Sequence, residues 1–352
     1  MLTIITAKGF GKFFKEYRST LILALIFALL PFILPYTALA TEVMIYALAA
    51  VAFDLCLGYT GLMMFCQASF FGTGVYVTAL TLIHFSPNIF VGMLFGVLAA
   101  TILAVILGFM ATRRIGTYMV LLTLAFNEMI YFIAYQWQSV TGGDDGLTGV
   151  PRPNLEIPGI LSINLQPSLN YYFFALFVFI ISFIIIKRIT ISPFGKVIQG
   201  IRENEIRAQS IGCNTRFFKL IVFAIGGMFM GLAGSLYSMY ITFAHIHNVA
   251  FDTSGNILLM VLIGGMGSLF GPVIGAFVIV TASDIASAYW ARWPLILGVV
   301  CIVFVLFARG GIWRMMQILA ERIRRINPFL EETQQSPLGD SSGQAPGRHE
   351  QT

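Results

Sequence analysis

Charge is what this sequence has least of. Only 11% of its 352 residues are Asp, Glu, Lys or Arg, where a soluble domain carries about 25%. A chain so poor in charge cannot cover a water-facing surface, so most of its outside must face lipid. Cysteine is scarce as well. The four residues, Cys56, Cys66, Cys213 and Cys301, show no CxxC spacing. Cys56, Cys66 and Cys301 lie in apolar runs, where cysteine behaves as a small hydrophobe, so no disulfide and no metal site is read from them. A phosphate loop of the form GxxxxGK[ST] is missing too. Gly11-Lys12 and Gly195-Lys196 lack both the earlier glycine and a following Ser or Thr. This chain cannot hydrolyse ATP alone. No Ser/His/Asp ordering and no paired carboxylate reads as hydrolytic chemistry.

What is present is hydrophobic length. Apolar residues make up 58% of the chain and mean hydropathy is +0.85. A bilayer core about 30 Å thick needs about 20 apolar residues per helix, and backbone groups in lipid must be satisfied within the segment. Barrel strands would alternate apolar and polar residues; runs such as 99–110 and 173–186 do not. The apolar runs fall near 20–39, 43–60, 66–85, 89–111, 115–136, 171–186, 218–243, 256–266, 272–289 and 294–308. The fold class expected is an all-α polytopic membrane protein.

The net charge of +5 marks topology rather than nucleic-acid binding. Nineteen of the twenty-one Lys and Arg residues fall in four clusters, leaving only Arg152 and Arg292. They are 8–18, the pair Arg113 and Arg114, 187–219, and 309–348. Positive residues near spans mark the cytoplasmic side. Two crossings in 43–85, broken at Gly58-Tyr-Thr-Gly61, bring Arg113 and Arg114 inside. Two more in 256–289, broken at Gly264-Gly-Met-Gly-Ser268, bring the last cluster inside and leave Trp290, Arg292 and Trp293 outside. About ten transmembrane helices with glycine-broken segments, and both termini cytoplasmic, satisfy the pattern. Ala38-Leu39-Ala40 after a basic lead and an apolar stretch also resembles a cleavable signal peptide, although that stretch exceeds the usual length.

The expected organisation is a basic cytoplasmic segment over 1–18, a transmembrane domain over 19–310, an interfacial basic helix over 311–326 and a disordered cytoplasmic tail over 327–352. Within 19–310 lie a cytoplasmic loop at 187–219 and a periplasmic loop at 137–170. The periplasmic loop carries four prolines and is expected to have little secondary structure of its own. In 312–326, Ile312, Met315, Met316, Leu319, Ile323 and Ile326 share one helical face and Arg314, Arg324 and Arg325 fall elsewhere, a pattern for lying on anionic lipid.

Candidate pathway residues come from the breaks and from charge inside spans. Gly58 and Gly61 bound one break, with Gln67 and Ser69 just beyond it. Non-helical backbone at membrane depth survives only inside protein or beside a wet cavity, and in transporters such breaks expose helix ends to substrate. Close helix packing is the simpler account of most of the glycines, and the break at 58–69 is the one open to a pathway role. Asp54, Glu128 and Asp284 are ionisable residues within spans, which are functional candidates by default. Asp54 lies one turn before the break and can brace it. Glu128, beside Asn127 near mid-span, is expected to face the bundle, where it could meet a substrate ammonium group or bond a neighbouring helix. His245 and His247 have only Asp252 near them and read as solvated loop residues, not metal ligands.

The most informative stretch is the cytoplasmic loop. Ser192 followed by Pro193 is a helix start. A second short helix from Asn204 or Glu205 to Ile211 closes at Gly212, where positive φ is needed. The run Ser192-Pro-Phe-Gly-Lys-Val-Ile-Gln-Gly-Ile-Arg-Glu-Asn-Glu-Ile-Arg-Ala-Gln-Ser-Ile-Gly212 resembles the coupling loop of branched-chain amino-acid ABC permeases of the LivM type. That family has relatives that carry urea and short-chain amides. Five further motifs are similar and in the same order: Gly58-Tyr-Thr-Gly61, Gln67-Ala-Ser-Phe-Phe-Gly72, Thr141-Gly-Gly-Asp-Asp-Gly-Leu-Thr-Gly149, Gly264-Gly-Met-Gly-Ser-Leu-Phe-Gly-Pro272 and Phe307-Ala-Arg-Gly310.

The resemblance spans roughly 20–312. It implies a multi-pass permease subunit of the bacterial inner membrane, with a second homologous permease subunit, two ATP-binding subunits and a periplasmic substrate-binding protein as partners. It implies no cofactor of its own, ATP being bound by the partners. The substrate it implies is a branched-chain or other hydrophobic amino acid; urea, amides and small organic acids are the alternatives. By the same analogy Arg202, Glu205, Ala208 and Gly212 lie in the loop that docks on an ATPase. Glu205 and Arg207 are expected to meet it, with Ile206 and Ile211 anchoring the short helix. On the residues alone, an autonomous carrier using Asp54 or Glu128 as a proton site, or an intramembrane enzyme, stays open.

Overall fold

The computed structural model describes residues 19–114, 116–157, 161–289 and 310–326, with isolated positions between 292 and 302. The expected segment 1–18, most of the run 294–308 and the tail from 327 lie outside these residues. The described chain is helical apart from one small hairpin. Its long helices are α1 (Ser19–Ile33), α2 (Thr37–Asp54), α3 (Gln67–His84), α4 (Ile89–Ala111) and α5 (Thr117–Gln136). The short α6 (Gln138–Thr141), the strands β1 (Leu155–Ile157) and β2 (Leu161–Ile163), and α7 (Ser168–Ile191) follow. Then come α8 (Pro193–Glu203), α9 (Glu205–Ser210), α10 (Thr215–Ile241), α11 (Phe251–Gly264), α12 (Phe270–Tyr289) and α13 (Gly311–Ile326).

Six of these, α2 with its continuation to Tyr59, α4, α5, α7, α10 and α12, are long and apolar enough to cross a membrane. The other expected spans depart for physical reasons. Helix α1 stops at Ile33 because Pro35 disfavours helical backbone in the residue before it. Residues 37–39, read as the end of the first run, therefore open α2. Helix α3 carries Gln67, Ser69, Thr73, Thr78 and Thr81, which lowers its hydropathy, and α11 is only 14 residues long. The loop 137–170 holds more structure than expected. It contains α6 and an antiparallel pair in which Leu155 faces Ile163 and Ile157 faces Leu161.

Helix α2 is the axis of the bundle. It is 89% buried over its apolar window, and Ala47, Ala49, Ala50 and Ala52 are fully enclosed. Small residues there let α7, α10, α11 and α12 approach it closely. Ala38, Leu39 and Ala40 lie inside this helix, with the Ala38 carbonyl accepting the Tyr240 hydroxyl at 2.9 Å. Helix α10 packs on α3 and α4, where Thr78 Oγ1 donates to Ser235 Oγ at 2.8 Å. Helices α4 and α5 lie outermost, each 28% buried over its apolar window.

Residues Met1–Trp313 form one compact unit and Arg314–Thr352 another. In the first unit, Trp313 stacks on Phe270 with ring centroids 5.3 Å apart. In the second, the described part is the continuation of α13, on which Met315, Met316, Ile318 and Leu319 are exposed.

Candidate functional site

Both glycine breaks form, and they touch. After Asp54, α2 widens into one π-helical turn, Leu55–Tyr59, a distortion that often marks functional positions. The chain then turns at Gly61 with φ +74°. The second break separates α11 from α12, with Gly265 at φ +116° and Gly267 at φ +77°. Asp54 Oδ1 accepts the Gly267 N–H at 2.8 Å, so the carboxylate of one break holds the backbone of the other. A Cβ on Gly58 would strike that carboxylate and the Gly267 nitrogen. Only glycine fits there. Asp54 is fully buried, and its Oδ2 finds no partner among the described residues.

Arg202, from α8, closes the cluster. Its guanidinium donates to the Gly58 carbonyl, and its aliphatic stem lies beneath Gly61, where an added Cβ would sit 3.1 Å from Arg202 Cγ. Asp54, Gly58, Gly61, Gly267 and Arg202 are thus one connected group. The first four come from the two breaks and the last from the loop between α7 and α10.

The start of α3 is stitched rather than open. Its orphan amides would be free to meet a ligand, but they are already taken. Phe65 N–H donates to Thr123 Oγ1 at 3.1 Å, Ala68 N–H to Ser254 Oγ at 2.9 Å, and Ser69 N–H to Asn127 Oδ1 at 3.2 Å. Ser69 Oγ also donates to Asn127 Oδ1 at 2.9 Å, and Asn127 Nδ2 donates to the Val249 carbonyl at 3.1 Å. Gln67 turns back on the Met64 carbonyl at 2.5 Å. Gln67, Ser69, Asn127 and Ser254 are all fully buried. Sequence reasoning named Asn127 only as the neighbour of Glu128 and passed over Ser254. The signal was Thr123 and Asn127 four residues apart, the polar pair on one face of α5.

Glu128 corrects its expectation. It is exposed on the outer side of α5 while Asn127 faces inward, because adjacent helical residues point about 100° apart. The pathway candidates therefore divide. Asp54, Gly58, Gln67 and Ser69 are enclosed within the subunit, Gly61 borders a cavity at one end, and Glu128 lies on its outer surface.

The loop between α7 and α10 forms the two short helices expected. Ser192 Oγ accepts the Gly195 N–H at 3.2 Å, and Asn204 Oδ1 accepts the Arg207 N–H at 2.9 Å. Gly212 adopts φ +90°. Its N–H donates to Gln209 O at 2.9 Å and that of Cys213 to Ala208 O at 3.1 Å, the paired closure that ends a helix at a left-handed glycine.

The side-chain assignments on α9 reverse. Glu205 is the anchor. It pairs with Lys219 at 2.5 Å and accepts the Thr215 hydroxyl at 3.2 Å. Ala208 is buried, whereas Ile206 and Ile211 are each 77% exposed. On this six-residue helix it is Glu205 that turns toward α10 and is satisfied there, which leaves the apolar side chains outward. Arg207 is exposed beside them. Between this loop, the 60–63 strand of chain and the α4–α5 connector lies a cavity of about 570 Å³, bordered by Gly61, Arg114, Arg202, Glu205 and Lys219.

The opposite end of the bundle has its own staple. Leu147 and Ala244 exchange backbone hydrogen bonds of 2.9 and 3.0 Å, and Arg152 donates to the Met239 carbonyl at 3.0 Å and to that of Tyr240. His245 and His247 stack there with centroids 4.6 Å apart. Partial burial first, and His247 beside it, hold His245 below the ordinary histidine pKa. Among the described residues no group of three or more His, Cys, Asp or Glu is placed to hold a metal. A smaller cavity of about 290 Å³ is bordered by Glu42, Tyr46, Asn256 and Asp284.

Residues 36–308 match the family described as branched-chain amino acid transport system / permease component. The chain belongs to this permease family. Similar curated proteins include the high-affinity branched-chain amino acid transport system permease protein LivM of Escherichia coli strain K12, 26% identical over 292 residues, covering 78% of this chain and 69% of the relative. LivM of Salmonella typhimurium strain LT2 is 25% identical over the same shares. A probable branched-chain amino acid transport permease protein LivM of Methanocaldococcus jannaschii is 28% identical over 59% of this chain and 60% of that protein. No solved structure matches. Membership makes the chain a multi-pass transport permease of an ABC importer and not an enzyme. The six motifs of the sequence lie almost wholly within the matched residues; only Arg309 and Gly310 fall beyond them.

Proposed function

We propose that the chain translocates branched-chain or other hydrophobic amino acids across a bacterial inner membrane. It does so as one half of a permease pair, powered by two ATP-binding subunits and fed by a periplasmic binding protein. Ten insertions with both termini in the cytoplasm fit this role. Three features that positive-inside parity assigns to the cytoplasm, the Gly58 break, Arg114 and the α8–α9 loop, share one end of the bundle. The 141–152 loop and the 239–248 segment, assigned outside, share the other.

The observation that carries the proposal is the Arg202 contact. Helix α9 presents Ile206 and Ile211 outward, as a small apolar surface among charges suited to a partner's groove. Helix α8, joined to it through Asn204 alone, grips the Gly58 carbonyl, and Asp54 ties that break to Gly267. A push on α9 would therefore reach the ends of α2, α11 and α12 through three contiguous contacts. Breaks of this kind are where helices can pivot, since their backbone is not locked in a continuous ladder. ATP-driven closure of the partners would move the loop and shift both breaks together, switching which side of the passage is open. α13, with its exposed Met315, Met316 and Leu319, would rest on the inner leaflet.

The test is purification of the tagged chain from its native membrane. Stoichiometric ATP-binding subunits, and ATP hydrolysis in the purified assembly that rises when binding protein and a hydrophobic amino acid are added, are the result expected. A chain that purifies alone and carries substrate in vesicles without ATP would overturn the reading.

A further inference from the structure

Helices α4 and α5 bury the same 28% of their apolar windows, yet their open faces differ. The exposed residues of α4 are Phe90, Leu94, Phe95, Leu98, Ile102, Val105, Ile106, Phe109 and Met110, without one polar group. That is a lipid face. The exposed stripe of α5 runs Tyr118, Leu121, Ala125, Glu128, Phe132 and Tyr135, at alternating steps of three and four. Glu128 lies about 2 Å from the helix midpoint at 1.5 Å per residue. Among the described residues nothing bonds or pairs with its carboxylate. An ionisable group at that depth is too costly to leave in hydrocarbon and belongs in a protein interior or a water-filled cavity.

We infer that this stripe of α5 is the face on which the second permease subunit packs, with Glu128 directed into the aqueous passage between the two. The inference rests on the permease reading above. The occupant is a non-identical chain. A second copy, related by a two-fold axis along the membrane normal, would set one Glu128 stripe against another at equal depth and oppose like charges. A chain offering a cation or a hydrogen-bond donor at that level satisfies the carboxylate instead. The flanking Leu121 and Phe132 supply apolar contact above and below it. On the inward side, Asn127 and Thr123 fasten α5 to the α3 start, so the stripe is presented by a helix whose rotation is fixed.

The experiment uses the importer purified with its own subunits. A photo-reactive phenylalanine analogue replaces Leu121 or Phe132 on α5, and Leu98 or Ile102 on α4 as lipid-facing controls, and the adducts are identified by mass. Positions 121 and 132 are expected to join the second permease subunit, while 98 and 102 join phospholipid. In a Cys213→Ser background, Glu128→Cys should react with a charged, water-soluble thiol reagent about tenfold faster than Ile102→Cys, because only a wet thiol ionises. Phospholipid adducts at 121 and 132, adducts with a second copy of this chain, or equal thiol rates would overturn the inference while leaving the permease reading intact. Purification without any second permease or ATP-binding chain would overturn both.

Discussion

Asn127 and Glu128 are adjacent in α5 and sit in opposite surroundings. Asn127 makes three hydrogen bonds to Ser69 and Val249 and is fully buried; Glu128 is open to the outside of the subunit. Replacing Asn127 by Leu would leave the Ser69 amide and the Val249 carbonyl without partners in a dry interior, a cost of about 1–3 kcal/mol for each orphan. Asn127→Leu should therefore lower the yield of folded protein and its thermal midpoint in detergent. Glu128→Gln should leave both unchanged and weaken transport by the assembled importer. Equal stability losses for the two variants would contradict the assignment of faces. The sequence named Glu128 as the mid-span charge, but it could not say which neighbour faced inward. An α-helix turns about 100° per residue, and only the Thr123–Asn127 pair marked the inner side. Asp54 was more legible. It stood one turn before a glycine break, and a brace was the simplest use for it; that the brace reaches Gly267, 213 positions away, required the fold.

At the scale of elements, the α8–α9 loop was the most readable part of the chain, because its signals are local. Ser192-Pro193, Asn204 and Gly212 are capping residues whose geometry depends on their immediate neighbours. What could not be read was which side of a six-residue helix would be covered. Glu205 is claimed by Lys219 and Thr215, from fourteen and ten positions downstream, and that leaves Ile206 and Ile211 outward. The variants separate these roles. At Gly212 an added Cβ meets nothing within 4 Å, so Gly212→Val costs only the left-handed backbone, about 1–2 kcal/mol, confined to this loop. Glu205→Arg would set a second cation beside Lys219 and release α9 from α10. Both should insert and assemble normally yet lose ATP hydrolysis stimulated by substrate. Ile206→Asp with Ile211→Asp should instead weaken retention of the ATP-binding subunits during purification. Normal stimulated hydrolysis in Gly212→Val and Glu205→Arg would show that the loop does not couple.

At the scale of the whole molecule, the apolar runs marked where the long helices lie, six of which are long and apolar enough to cross a membrane; the direction of each crossing belongs to the topology proposed above. The finer shape came from elsewhere. Pro35 divides the first hydrophobic run, Ser69 and Thr78 of α3 bond Asn127 and Ser235 while the Ala68 amide bonds Ser254, and the 137–170 loop folds into a helix and an antiparallel strand pair. Such pairings join residues far apart in sequence, so no local pattern discloses them. Topology reporters test the frame directly. Fusions after Arg114, Arg216 and Arg325 should report the cytoplasm, and those at Asp145, Asn248 and Arg292 the periplasm; a periplasmic signal at Arg216 would invert the account. The central claim is narrower, that Arg202 transmits the loop's movement to the breaks at Gly58 and Gly267. The measurement that tests it most directly is the ratio of substrate transported to ATP hydrolysed by the importer reconstituted in vesicles, compared between the wild-type chain and Arg202→Ala. The account predicts an intact assembly that still hydrolyses ATP but transports little substrate for each ATP spent. An unchanged ratio with an intact assembly would contradict it.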